Sequence, residues 1–340
     1  MMRAFVTGGS GLIGRHVVDA LLDHGWDVTV LTRTRDRTRA LEARGVAVVE
    51  GDVARPRFQS DLSRTDVLFH VAGWIDLGVR DARRMFDVNV TGTANILAMA
   101  RKEGVSRVVF TGTAGVFAPA PPDRPARESS EARAPTHDPY VVTKFQAHSL
   151  VIGEMHAGLP VTVVLPAAVY GPGDTNALGR SLALLAKGRL RIVPRGFGHN
   201  TWTHAADIAE GHVLAATRGR PGEMYLLGDR VAHFMDFYRA AAEAARVKPP
   251  RARVPMRVAR AAAVLAEANA AFAGRAPTLS RAALELAALD LCVDATKART
   301  ELGWSPRPFD ERIREAMEWY VQEYRIRGNP RPVKRGGASA

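Results

Sequence analysis

The chain has 340 residues and a mass of 36.8 kDa, 46% of its residues are hydrophobic, and its basic residues outnumber its acidic ones by 12. That length and apolar share can bury a sizeable core in one large domain or two modest ones, which excludes a disordered chain. The single cysteine, Cys292, excludes an intramolecular disulfide, and with no basic-then-apolar leader before the first strand a soluble cytoplasmic protein is expected.

Strand-like runs are predicted at 4–7, 27–31, 47–50, 67–71, 107–111 and 161–165, separated by helical patterns that include 81–104 and 140–157. The alternation is a βαβ series. It predicts an α/β fold: a Rossmann-type doubly wound parallel sheet with its ligand at the carboxyl ends of the strands. Beyond Gly171 the elements become mixed, with helices at 178–187, from Asp207, and over 234–245, 254–273 and 309–324, and strands at 190–193 and 224–227. The expected division is a nucleotide-binding domain over 1–170, a smaller mixed α/β substrate lobe over 171–325 interleaved with it, and a disordered basic tail over 326–340. The Ala-rich stretch 254–272 is interrupted by Arg257, Arg260 and Glu267, which fits an amphipathic surface helix and not a membrane span. Residues 119–139 read as a loop.

The first strand runs into Gly8-Gly9-Ser10-Gly11-Leu12-Ile13-Gly14 and then into an amphipathic helix carrying Val17, Val18, Leu21 and Leu22. Gly9, Gly11 and Gly14 fit a Gly-x-Gly-x-x-Gly turn in the strand-turn-helix setting that this motif needs. Glycine lets the backbone approach a pyrophosphate, and the following helix aims free amides and a positive dipole end at it.

In Pro139-Tyr140-Val141-Val142-Thr143-Lys144 a tyrosine and a lysine stand one helical turn apart. A tyrosine hydroxyl titrates near 10, and a nearby cation stabilises the phenolate and suits it to proton transfer. Such a pair is also common on ordinary helix surfaces; its chemical reading depends on the nucleotide turn.

With both motifs present, the chain from Phe5 to about Tyr324 resembles the extended short-chain dehydrogenase/reductase superfamily, often called the NAD-dependent epimerase/dehydratase family. Within it, the resemblance is nearest to dihydroflavonol-reductase-like and hopanoid-associated sugar epimerase-like proteins. The resemblance implies a catalytic trio of Thr113, Tyr140 and Lys144. It implies cofactor contacts from Gly8, Gly11, Leu12, Ile13, Gly14, Asp52 and Val53 at the adenine, and the small residues Val71, Ala72 and Gly73. It adds Asn89, Thr111, Pro166, Ala167 and Val169, together with Tyr140 and Lys144 themselves. A homodimer through the helices after Asp81 and Pro139 is likewise implied.

About 20 residues past the glycines, a NAD-selective site carries an acid for the ribose 2′-hydroxyl. This chain has Thr32-Arg33-Thr34-Arg35, and Arg33 can bind a 2′-phosphate, so NADP(H) is expected over NAD(H), with a solvated arginine loop as the alternative. Sugar dehydratases of the family place Asp-Glu after the catalytic Thr, whereas here Ala114-Gly115 follow it. Sugar-nucleotide epimerases place an amide and an arginine where this chain has Ala168 and, near the second position, Asn200. The expected activity is therefore hydride transfer to or from a small apolar or aromatic carbonyl or alcohol, with sugar epimerisation and non-catalytic NADP sensing as alternatives. Trp74, Ile75, Phe117, Tyr170 and Trp202 stand as candidates both for the pocket wall and for the core. No metal site is expected, since His70 has no second ligand at metal spacing. The basic surplus lacks a base-reading motif, so nucleic acid and membrane insertion are not expected, and the partner is a small-molecule substrate.

Overall fold

The computed structural model describes residues 1–55, 62–75, 77, 81–273, 277 and 279–326, with the side chains of Arg37 and Ser63 also set aside. The tail expected over 326–340 thus lies, from residue 327 on, outside the described residues.

The strands are β1 (Arg3–Thr7), β2 (Asp27–Thr32), β3 (Ala47–Glu50), β4 (Val67–His70), β5 (Val108–Thr111), β6 (Val161–Pro166), β7 (Ala168–Tyr170), β8 (Ile192–Pro194), β9 (His199–His204), β10 (Met224–Leu227), β11 (Arg230–His233) and β12 (Ala252–Val254). The α-helices are α1 (Leu12–Asp23), α2 (Arg39–Glu42), α3 (Ala82–Phe86), α4 (Gly92–Lys102), α5 (Pro139–His156), α6 (Ala177–Ala186), α7 (Ala205–Thr217), α8 (Phe234–Ala244), α9 (Met256–Phe272), α10 (Arg281–Ala288) and α11 (Phe309–Tyr320).

Seven strands form one parallel sheet in the order β10-β6-β5-β4-β1-β2-β3, the doubly wound arrangement expected from the βαβ series. β4, β5 and β6 are buried along their whole length, which is why they read as continuous apolar runs and not as alternating ones. Successive side chains still point to opposite faces. Val6 and Phe69 meet Val17, Val18 and Leu21 of α1 and Ile208 and Val213 of α7, whereas Phe5 and Leu68 meet Ile96 and Leu97 of α4 and Ala147 and Val151 of α5. The sheet is therefore covered by helices on both sides.

After β6 the chain crosses into a smaller sheet, β11-β9-β7, and a two-stranded pair, β12-β8. A third apolar cluster lies there, with Trp202 stacked on Phe237 at 3.8 Å between ring centres. Between β9 and β11 the chain returns to the large sheet as β10, its seventh strand. The C-terminal helix α11 is latched to α7: Arg312 donates to both carboxylate oxygens of Asp207, with Nη2–Oδ1 at 2.6 Å and Nε–Oδ2 at 2.9 Å, and Trp304 Nε1 donates to the Asp207 carbonyl at 2.8 Å.

Two expectations change. The helix predicted over 81–104 is split into α3 and α4 by a π-helical turn at Asp87–Thr91, where one extra residue per turn swings Asn89 inward. β7, β9, β11, β12 and α10 have no counterpart among the elements predicted from sequence.

Candidate active site

The turn after β1 is built on Gly8, Gly11 and Gly14, spaced three apart. Gly8 has φ +77, and a Cβ there would stand 2.6 Å from the Ala72 amide nitrogen. A Cβ at Gly14 would reach 2.1 Å from the Gly8 carbonyl oxygen. Gly11 caps α1 with no side-chain hydrogen bond and no acid in the first turn, so the Leu12 and Ile13 end of the helix offers its amides and dipole to an anion. Gly9 fits the motif by spacing but only packs on Val30 and Val18, and its place belongs to Gly8. The cradle fits a dinucleotide pyrophosphate: its glycines are required by backbone contacts, and Gly11 has only the Gly8 carbonyl near its outer side.

One residue past β2, Arg33 is exposed. Asp52 Oδ1 accepts the Ala54 amide at 3.0 Å, and Val53 is buried against Gly92, its carbonyl held by Asn95 Nδ2 at 2.9 Å. The segment Val71-Ala72-Gly73 leaves β4 beside Gly8. It is fixed by a relay that sequence reasoning missed: the Ala72 amide donates to Thr7 Oγ1 at 3.2 Å, and Thr7 Oγ1 meets His70 Nδ1 at 2.7 Å. His70 Nε2 in turn meets Thr93 Oγ1 at 3.0 Å, which donates to the Asn89 carbonyl at 2.7 Å. His70 is fully buried and pushed down to about 3, by burial first and the Lys144 charge second, so it is neutral.

Asn89, placed by resemblance at the cofactor ribose, spends its amide on protein: it accepts from Trp74 N, donates to Trp74 O and donates to Thr143 Oγ1. It shapes the loop beside the cleft.

The catalytic candidates come together at the carboxyl ends of the strands. Asp138 caps α5 by accepting the Tyr140 amide at 2.9 Å, with Pro139 at the first helical position. One turn on, the buried Lys144 donates to the Thr111 carbonyl at 3.0 Å and sits 5.3 Å from the Phe110 ring centre. Thr111 Oγ1 meets His212 Nε2 at 2.8 Å, another partner the sequence did not suggest. Thr113 caps the short turn Ala114–Phe117 by accepting the Gly115 amide at 3.1 Å, and its hydroxyl acts on the Tyr140 phenol. Burial pushes the Tyr140 phenol up to about 12, the Thr113 hydroxyl draws it down, and Asp138 raises it further. Burial brings the Lys144 ammonium down to about 8. The lowering of the phenol expected from Lys144 comes here from Thr113, and the lysine charge acts on His70 and His148 instead.

At the crossing between sheets, the Ala167 amide donates to the Leu227 carbonyl at 3.1 Å; Pro166 ends β6, and Val169 pairs with Thr203. These residues stand at the sheet end where the glycine turn and trio also lie.

A model of the NAD dependent epimerase/dehydratase family matches residues 4–228. The chain belongs to that family. It is 33% identical, over 90% of its length and 92% of the relative's, to a 4-hydroxy-2-methyl-3-oxo-4-farnesyl-3,4-dihydroquinoline-1-oxide ketoreductase of Stigmatella aurantiaca. It is 29% identical, over 94% and 98%, to sterol demethylase protein B of Methylococcus capsulatus. Among solved structures it resembles the UDP-glucose 4-epimerase of Thermus thermophilus in complex with NAD, with a TM-score of 0.72, 23% identity and coverage of 94% and 99%; at that identity the likeness is one of fold. As a member of the epimerase/dehydratase family, the protein is an oxidoreductase-type enzyme of the extended short-chain dehydrogenase/reductase superfamily.

Two of the five aromatic and apolar pocket candidates in this family member remain near the surface. Phe117, Tyr170 and Trp202 are core residues: Trp202 donates to the Ala232 carbonyl at 3.0 Å, and Tyr170 packs among His204, Phe237 and Phe309. Trp74 is half-buried under Arg84, 4.9 Å from its ring centre, and Ile75 is 38% exposed. Asn200 is buried in β9 and Ala168 pairs with Trp202, so neither offers an anchor for a sugar nucleotide. Among the described residues, no group of three or more His, Cys, Asp or Glu could hold a metal ion, and no helix is long and apolar enough to cross a membrane.

Proposed function

We propose that the protein is a reductase that accepts hydride from a nicotinamide cofactor onto the carbonyl of a small apolar substrate, and runs the same step backwards on the alcohol. The observation that carries this reading is the placement of Tyr140 one helical turn before the buried Lys144, with Thr113 acting on the phenol. Thr113 and Tyr140 together offer two hydroxyls to one carbonyl oxygen. At neutral pH a phenol near 12 keeps its proton, which suits it to donate as negative charge develops on that oxygen. The bound cofactor would supply the hydride; the chain's task is to position it, through the glycine cradle and the segment braced by Asn89, and to protonate the product. Lys144, at about 8, is mostly charged at pH 7 and stands one helical turn from Tyr140, where it would hold the nicotinamide ribose.

A keto substrate is also supported by the Stigmatella relative, named a ketoreductase, and by the missing diphosphate anchors near Ala168 and Asn200. The preference for NADP(H) rests on Arg33, and a homodimer on the family resemblance. Tyr140→Phe is the test: turnover on apolar ketones should fall about 10²–10⁴-fold while NADPH affinity stays within about twofold. Retained turnover refutes the assignment. For the cofactor, Arg33→Ser should weaken NADPH about tenfold and leave NADH unchanged; equal loss for both would place Arg33 outside the 2′-phosphate site.

A further inference from the structure

Helix α9 fully buries only small side chains, Ala259, Ala263 and Ala270, and past Met256 turns its large apolar ones outward. Val258, Leu265 and Phe272 are 49%, 73% and 97% exposed and follow one another at seven-residue spacing, which lines them up along one face over about 21 Å. Exposed Ala261, Ala262 and Ala268 lie between them. The single carboxylate of the helix, Glu267, is turned inward onto Arg281, with Oε2 accepting from Nε at 2.9 Å.

Directly before α9 lies the two-stranded pair β8 and β12, joined in parallel register from Ala252 with Ile192 to Val254 with Pro194. Residues 187–198 and 246–266 together hold ten Lys and Arg and no Asp or Glu. Arg189, Arg191, Arg195, Arg251 and Arg253 are all exposed, as are Arg257 and Arg260 at the start of the helix. Much of the net charge of the protein is thus gathered beside its most exposed apolar stripe.

We infer that this face docks on the surface of an anionic lipid bilayer, with the α9 stripe at the level of the headgroups and the β8–β12 arginines on lipid phosphates. An apolar helix face flanked by arginines, with no acid among them in sequence, is the pattern of an in-plane interfacial helix. A second copy of the chain is the poorer occupant, because a two-fold contact would bring together two surfaces of the same positive sign. A nucleic acid would use the arginines and leave Val258 and Leu265 in water.

The test is co-sedimentation of the full-length protein with vesicles of phosphatidylcholine alone and with about one third phosphatidylglycerol. Binding is expected to the anionic vesicles and to be reversed by salt. Leu265→Glu with Phe272→Glu, and separately Arg251→Glu with Arg253→Glu, should each lower it at least about tenfold without changing the melting temperature or NADPH affinity. No binding by the wild type, or equal binding by the variants, overturns the inference. So does a drop in mass by light scattering in the Leu265→Glu variant, which would make the stripe a self-contact, and so does retention on duplex DNA without binding to vesicles.

Discussion

Asn89 Oδ1 accepts the Trp74 amide at 2.7 Å while its Nδ2 donates to the Trp74 carbonyl at 3.1 Å, so one buried side chain grips both polar groups of a single loop residue. The grip is possible because the π-turn places Asn89 off the regular helical face, against β4 and α5. Asn89→Ala leaves those groups without their partner and should cost about 2–3 kcal/mol of stability. NADPH affinity should fall with it, about tenfold, as the segment Val71–Gly73 loosens. A urea titration and a cofactor titration read the two effects, and unchanged cofactor affinity would limit Asn89 to a structural role.

The glycine turn gives a test by position. Gly8→Ala and Gly14→Ala drive a Cβ into backbone, at 2.6 Å and 2.1 Å, and should abolish cofactor binding. Gly9→Ala meets only the side chains of Val30 and Val18, the nearest atom at 2.8 Å, and should cost about 1–3 kcal/mol while binding survives. Isothermal titration of the three variants separates them; loss of binding in Gly9→Ala would return that residue to the motif.

Four buried histidines predict acid lability. Each takes a proton near 6.5 when unfolded, whereas in the fold His70 and His204 resist protonation down to about 3, and His148 and His212 down to about 4. Burial is the first cause in every case. Between those values the unfolded state binds more protons, so stability is fully present above 6.5 and is lost as the pH falls. The limiting slope for four such groups is about 5 kcal/mol per pH unit. Urea midpoints should drop steeply from pH 6.5 to 5, less so in His212→Gln, and a flat profile would contradict the buried neutral state.

Lys144 predicts opposite trends for activity and stability at alkaline pH. Its ammonium titrates at about 8 in the fold and at 10.5 in the unfolded chain. Above 8 the folded site loses the cation proposed to hold the cofactor beside Tyr140, so kcat/KM for ketone reduction should fall about tenfold per pH unit. Over the same window the unfolded state binds the extra proton, so this group's contribution to stability rises from pH 8 to 10.5. Falling activity with no fall in melting temperature is the expected pair of results, and a flat kcat/KM up to pH 10 would remove Lys144 from the mechanism.

The parallel strands were legible because burial on both faces leaves nearly unbroken Val, Leu and Phe runs, as in Val67-Leu68-Phe69. β9, His199-Asn200-Thr201-Trp202-Thr203-His204, carries no such run, and its burial arises from packing on α7 and α8 that periodicity does not express. The π-turn was hidden because apolar spacing continues through it. In the site, Tyr140 and Lys144 announced themselves by spacing. The choice between Gly8 and Gly9 did not, since adjacent glycines are equivalent until one takes φ +77 against Ala72. Thr7, His70 and Thr93 are polar residues at strand and helix ends and His212 lies midway along α7, and their pairing depends on neighbours up to 101 residues away, as between Thr111 and His212.

The return of the chain to the large sheet as β10 sets an order of events on the ribosome. β6 ends at Pro166, yet the strand that covers its outer edge begins at Met224. At about 5–20 residues per second, the nascent sheet carries an open, largely apolar edge for on the order of three to twelve seconds before the strand that closes it is made. A fragment that stops at the first sheet crossing keeps that edge permanently, and should aggregate instead of binding nucleotide on its own.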